Sequence, residues 1–211
     1  MTTVRRVLVE AKRLVAVLVM LPFWAMTAFT KYVYVAQAIS MIPLHFGEIV
    51  RYEFYRRTLA SCGEDVTIGF LSYISYRDVT VGSHVWMDAF CNVGHADIGD
   101  YVLVARNCHF VSGGQAHPFD RIDIPIMEQQ GEFGRVRVGP DVWIGSGVII
   151  LADIGQGCVV GAGSVVVRPI PTLSVAAGNP ARVLRDRKTG HPEASESGTN
   201  NAKNQCTDTD L

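Results

Sequence analysis

Between about Val66 and Val167 an aliphatic side chain recurs every six residues, a period that neither the 3.6 of a helix nor the 2 of a strand produces. The clearest run reads Val138-Gly-Pro-Asp-Val-Trp, Ile144-Gly-Ser-Gly-Val-Ile, then Ile150, and continues as Ile154-Gly-Gln-Gly-Cys-Val, Val160-Gly-Ala-Gly-Ser-Val and Val166. Earlier runs read Val81-Gly-Ser-His-Val-Trp with Met87-Asp-Ala-Phe-Cys-Asn, and Ile98-Gly-Asp-Tyr-Val-Leu with Val104-Ala-Arg-Asn-Cys-His. The fifth residue of each unit is small or β-branched: Val85, Cys91, Val102, Cys108, Val142, Val148, Cys158 and Ser164. Units of this kind build a triangular solenoid. Each makes one flat face, its aliphatic residue fills the interior, the small fifth residue fits the remaining inward space, and Gly eases the corner. The period predicts an all-β solenoid and makes Cys91, Cys108 and Cys158 packing groups. It breaks three times: Val93 and Ile98 are five apart, Ile150 and Val160 are ten apart where two units need twelve, and a long interruption runs from Phe110 to Val138.

A chain of 211 residues with 48% hydrophobic content buries one good core, which predicts one catalytic domain with appendages. The 19 basic and 20 acidic residues give a net charge of -1, so no overall field draws the chain to nucleic acid. Five cysteines, odd in number and without close pairs, read as reduced thiols of a cytosolic protein rather than a zinc site or redox motif.

The appendages lie at the ends. Residues 1–60 form a helical extension: Leu14 to Leu44 carries no charged side chain except Lys31, with Arg5, Arg6, Lys12 and Arg13 before it and Arg51, Arg56 and Arg57 after it. Both basic ends prefer the same, cytoplasmic side, and the stretch is too short for two spans. That pattern fits a re-entrant or interfacial hairpin, with residues 1–44 at a membrane surface, or a hairpin buried on protein. The segment His45 to Ala60 reads as an amphipathic helix through Phe46, Ile49, Val50 and Phe54. Residues 188–211 hold almost nothing apolar and are expected to be a disordered tail.

The sequence resembles the hexapeptide-repeat acyltransferases, and within them the sugar and polysaccharide O-acetyltransferases. The resemblance covers roughly Ile68 to Arg187 and is strongest from Asp141-Val-Trp-Ile-Gly through Gly161-Ala-Gly-Ser-Val-Val to Ala177-Gly-Asn-Pro-Ala-Arg182; Phe54-Tyr-Arg to Cys62-Gly is similar to the family's lead-in. It implies a left-handed parallel β-helix over residues 61–187, assembled as a homotrimer with sites between subunits, and acetyl-CoA as co-substrate without a metal. Taken with the basic, apolar N-terminus, it gives the expectation of an enzyme at the cytoplasmic face of the inner membrane, serving a polysaccharide or lipid-linked glycan precursor.

Residues 111–137 form a loop thrown out of the solenoid wall, where function tends to be carried. Within it Gly113-Gly-Gln-Ala-His117-Pro-Phe-Asp120 resembles the family's catalytic-histidine loop. An alcohol keeps its proton at neutral pH, so acetyl transfer to a sugar hydroxyl needs a base, and an imidazole titrates in the right range. By resemblance His117 is that base. Ser146 matches the position whose backbone N–H meets the tetrahedral oxyanion. Ser146 and Ala162 would hold the pantetheine arm, Arg168 and Arg185 the phosphates, and Asp88 the acceptor. Trp143 flanks the pantetheine or packs between subunits. Val167 departs from the threonine often found there. His84 reads as a wall residue, and His95 and His109 lack the loop motif.

Three other readings stay open: N-acetylation of an amino sugar on a nucleotide carrier, a zinc hydratase, whose spacing His84, His109 and His117 do not show, and a non-catalytic β-helix scaffold.

Overall fold

The computed structural model describes residues 3–112, 118–131 and 133–190, with backbone alone for residues 3–9. The hexads wind into a three-faced parallel solenoid of two-residue strands joined by tight corners. The first face stacks Ser61–Cys62, Thr80–Val81, Ala96–Ile98 and Val136–Val138, extended by bridges at Ile154 and Ile170. The second stacks Thr67–Ile68, Trp86–Met87, Leu103–Val104, Trp143–Ile144, Val159–Val160 and Ser174–Gly178. The third stacks Tyr73–Ile74, Asn92–Val93, His109–Phe110, Ile149–Ile150 and Val165–Val166. Every pairing between coils is parallel and in register, as in Val104 beside Ile144 beside Val160. The antiparallel strand Ala181–Asp186 closes the second face.

The hexad residue points inward in each coil: Val81, Met87 and Val93 in the second, Val138, Ile144 and Ile150 in the fourth, all buried. Each such side chain contributes about 1.5–3 kcal/mol by leaving water. Cys91, Cys108 and Cys158 occupy the fifth-residue slot with no exposure, and each thiol donates to a carbonyl: Ala105 at 3.2 Å, Gly145 at 3.2 Å and Pro171 at 2.8 Å. The neighbouring Cys108 thiol, and after it burial, pushes the Cys91 thiol up, and burial pushes that of Cys158 up; these side chains are packing groups.

A solenoid has two open ends that need covering. Three helices cover the first: α1 (Thr3–Met26), α2 (Tyr32–Ser40) and α3 (Leu44–Thr58). Val35, Ala36 and Ile39 of α2 and Phe54 and Tyr55 of α3 join the solenoid core beside Ile68 and Ile74. Helix α1 packs Ala16 and Met20 against Val50 of α3 and leaves Leu14, Leu18, Leu21 and Trp24 exposed. Among the described residues no helix is long and apolar enough to cross a membrane. Of the expected tail, all beyond residue 190 lies outside the described residues.

Candidate active site

The expected residues fall at three places. Trp143 stands outward on the second face, half exposed, and its strand runs through Ile144 and Gly145 into the corner before the third face. Ser146 sits at that corner, exposed, with Ala162 above it one coil later; the Gly163 N–H donates to the Ser146 carbonyl at 2.8 Å. The stacking is tight, since a Cβ on Gly145 would lie 2.6 Å from the Ala162 nitrogen. Asp88 lies at the same edge two coils below. Its Oδ1 accepts from the Ala89 N–H at 2.7 Å and its Oδ2 from Arg106 Nε at 3.0 Å. Arg106 is directly beneath Ser146, its carbonyl accepting the Gly147 N–H at 2.8 Å. Sequence reasoning missed Arg106, which carries no motif of its own.

Arg185 is exposed on the strand that closes the second face, opposite Val175. Arg168 is elsewhere. It follows Val165–Val166 of the third face and so sits at the corner between the third and first faces, one face away from Ser146 and Ala162. The shortened repeat after Ile150 lies at that other corner too, between Ile150 and Ile154, and repeats between Val166 and Ile170.

The long loop leaves the third face after Phe110 and rejoins the first at Val136, so it springs from the same corner as Arg168, two coils below it. His117 and the preceding Gly113 to Ala116 lie outside the described residues. At the foot of the loop the third face carries a groove of about 430 Å³ lined by Ser75, Tyr76, Asn92, His109, Ser112 and Phe133. Ser75 Oγ donates to Asn92 Oδ1 at 3.1 Å, and Asn92 Nδ2 donates to the Tyr73 hydroxyl at 3.0 Å. Aromatic walls with amide and hydroxyl groups between them suit a polar ligand with an apolar face, such as a sugar ring. The signal in the sequence was one-coil spacing: Ser75, Asn92 and His109 are 17 apart.

His84, read from the sequence as a wall residue, stands in the corner turn before Trp86. It stacks on Tyr101 with centroids 4.7 Å apart, and its Nδ1 lies 3.1 Å from Asp65 Oδ2. Among the described residues no group of three or more His, Cys, Asp or Glu side chains could hold a metal ion.

Comparison with known proteins agrees with this architecture. No family model matches the sequence. A probable acetyltransferase of Mycobacterium tuberculosis is 43% identical over 94 residues, covering 44% of this chain and 31% of its own. A putative acetyltransferase of Saccharomyces cerevisiae is 36% identical over 137 residues, covering 62% of this chain and 67% of its own. Among solved structures, a maltose O-acetyltransferase from Clostridium difficile superposes with a TM-score of 0.63 at 31% identity over 74% of this chain and 84% of that one. A galactoside acetyltransferase in complex with coenzyme A gives a TM-score of 0.63 at 28% identity over 74% and 79%. The solenoid with its interrupted third coil thus defines an acetyltransferase-type β-helix, and the chain belongs to the hexapeptide-repeat acetyltransferase family. It spans about a third of the mycobacterial relative's length and two thirds of the yeast relative's.

Proposed function

We propose that this protein transfers an acetyl group from acetyl-CoA to a hydroxyl of a sugar in a polysaccharide or lipid-linked glycan precursor, through residues 61–187 as the catalytic unit. The observation that supports the reading is that a column of small residues and the base of the long loop stand at different corners of the solenoid. One corner presents Trp143, Ser146 and Ala162 as an open column of small residues beside an aromatic ring; the other launches the loop that contains His117. A homotrimer brings the loop of one copy to the small-residue corner of its neighbour and buries the outward Trp86, Leu103 and Trp143, all about half exposed in the single chain.

In this reading His117 accepts the proton of the acceptor hydroxyl as its oxygen attacks the acetyl carbon. A backbone N–H near Ser146 takes up the developing oxyanion charge. The C–S bond then breaks, the acetyl group stays on the sugar oxygen, and the imidazolium returns its proton to the departing thiolate. The pantetheine arm lies along Ser146 and Ala162 with Arg185 toward the phosphates. Arg168 serves the same end only from the neighbouring copy, because its corner is the loop's. Asp88, already held by Arg106, orients the acceptor, and the groove beneath the loop receives the sugar ring.

Residues 1–44 hold the enzyme at the cytoplasmic face of the inner membrane, near a lipid-linked acceptor. The likeness to a maltose O-acetyltransferase and to a coenzyme A-bound galactoside acetyltransferase supports the reaction class. The test is thiol release from acetyl-CoA with a panel of sugars, amino sugars on nucleotide carriers and lipid-linked glycans, for wild type and His117→Ala at matched oligomer content. A loss of ~10²-fold or more supports a general base. Equal rates remove His117 from that role, acetylated amine products favour N-transfer, and no turnover with any acceptor leaves a scaffold.

A further inference from the structure

The short repeat between Val93 and Ile98 is where the long loop is fastened. Gly94 and His95 occupy that turn, and both ends of the loop converge on it. At the departing end Ser112 is buried, and its Oγ accepts the backbone N–H of His95 at 2.9 Å. A Cβ on Gly94 would lie 2.3 Å from the same Oγ. At the returning end the Val136 N–H donates to the His95 carbonyl at 3.1 Å. Arg135 bonds the Asp78 carboxylate, the Asp78 carbonyl at 3.0 Å and Asp97 Oδ1 at 2.9 Å.

The His95 side chain fills the centre of this junction. Its ring stacks on Tyr76 with centroids 3.7 Å apart and planes at 15°, and Phe133 of the loop approaches to 6.3 Å. Its Nδ1 lies 2.8 Å from Asp78 Oδ2. A carboxylate only accepts hydrogen bonds, so Nδ1 carries the proton and the ring orientation is fixed. Asp78 is fixed in turn by Arg135. Tyr76 and Phe133 are also walls of the groove at the foot of the loop.

We propose that His95 is a positioning residue: held by Asp78 and Arg135, it sets the spacing of the Tyr76 and Phe133 walls that receive the acceptor and anchors both ends of the loop carrying His117. The inference rests on the acetyltransferase reading for its effect on turnover, but its effect on the loop's anchorage does not. His95 acts through its neighbours and takes no proton from the substrate.

The test compares wild type with His95→Ala, His95→Phe and Asp78→Asn, measuring the Michaelis constants for acceptor and acetyl-CoA, kcat, and amide hydrogen exchange by peptide. His95→Ala is expected to raise the acceptor constant about tenfold or more and to speed exchange across residues 111–137 at least tenfold. Exchange in the coils from Val138 to Val166 and the acetyl-CoA constant stay within twofold. His95→Phe keeps the stack and loses the carboxylate bond, so it recovers part of both effects. Should His95→Ala fail to fold, Asp78→Asn carries the test: it leaves both rings in place and weakens the hold of Arg135. Wild-type loop exchange with an unchanged acceptor constant in whichever of the Ala and Asn variants fold overturns the proposal. Faster loop exchange in a protein whose His117→Ala variant retains full turnover supports the anchor while removing the His117 reading.

Discussion

The guanidinium of Arg51, with no surface exposed, donates through Nε to the carbonyl of Ile68 at 2.7 Å and through Nη1 to those of Ile42 at 2.8 Å and Ser40 at 3.3 Å. One side chain thereby ties the end of α2, the turn into α3 and the first coil together. The approach is close enough to demand glycine at 47, where a Cβ would lie 2.0 Å from the Ile42 oxygen. Among the described residues no carboxylate lies within bonding distance of Arg51 and Nη2 has no hydrogen-bond partner, and burial holds its pKa below the ordinary arginine value.

Removing this tie takes the Arg51 donors from the Ile68 and Ile42 carbonyls, while that of Ser40 keeps the Leu71 N–H at 2.9 Å. Arg51→Ala is therefore expected to cost about 3 kcal/mol, from unsatisfied acceptors and the space left behind. In a domain of this size that is a fall in Tm of roughly 6–12 °C. Arg51→Met refills the volume without the charge and is expected to lose about half as much. Thermal unfolding of both variants checks the order; an equal loss in Met and Ala would mean that bonding alone, not the space left behind, sets the cost.

The helical cap also makes the fold sensitive to alkali. Burial pushes the Cys62 thiol from 9.0 up to about 11 and the Tyr32 phenol from 10.0 up to about 12; Tyr32 shares a 2.9 Å hydrogen bond with Thr58. Both groups are neutral when protonated and are held so by the folded state. Their stabilising contribution is complete below pH 9 and is lost as pH rises from about 9 to 12, because the unfolded chain releases these protons first. Urea midpoints measured from pH 8 to 11 should fall, and Cys62→Ser should flatten the part between 9 and 11. A midpoint unchanged over that range would contradict the burial of both groups.

The interior was legible because the hexad residue and its small fifth neighbour alternate wherever the wall is regular. The site was less so. A six-residue period identifies a wall unit but not which of three faces it forms, and the loop from 111 to 137 interrupts the count. The resemblance put Arg168 with Arg185 at the phosphates, and its place a face away from Ser146 is a relation the period does not carry. The five-residue step at Val93 was legible as an irregularity, but its role was not, because its partners come from three coils and the loop. Asp78, His95 and Ser112 are 17 residues apart, one coil each, a spacing that stands out only once the coil length is known.

At the small-residue corner, space is the requirement. Ala162 is exposed above Ser146, and in the proposed reaction the pantetheine arm runs against both. Ala162→Leu adds volume outward without touching the core, so folding should be unchanged within about 0.5 kcal/mol, as for exposed substitutions generally. The Michaelis constant for acetyl-CoA should rise tenfold or more while that for the acceptor moves little. A change confined to the acceptor constant would move the acyl donor off this corner.

The outer side of α1 makes the membrane reading testable by substitution rather than deletion. Leu14, Leu18 and Leu21 lie on one side of the helix at 64%, 58% and 43% exposure, following Lys12 and Arg13. Deleting residues 1–44 would also remove Val35, Ala36 and Ile39 from the core, so loss of pelleting in that variant could reflect unfolding. Replacing Leu14, Leu18 and Leu21 together with Ser removes only exposed apolar surface. Binding to vesicles containing anionic lipid is expected to fall at least tenfold, with thiol release on a soluble acceptor preserved. Unchanged vesicle binding would end the membrane role of this face. Loss of oligomer in the triple variant would instead assign the face to contact between copies of the chain, where apolar area of this kind is also buried.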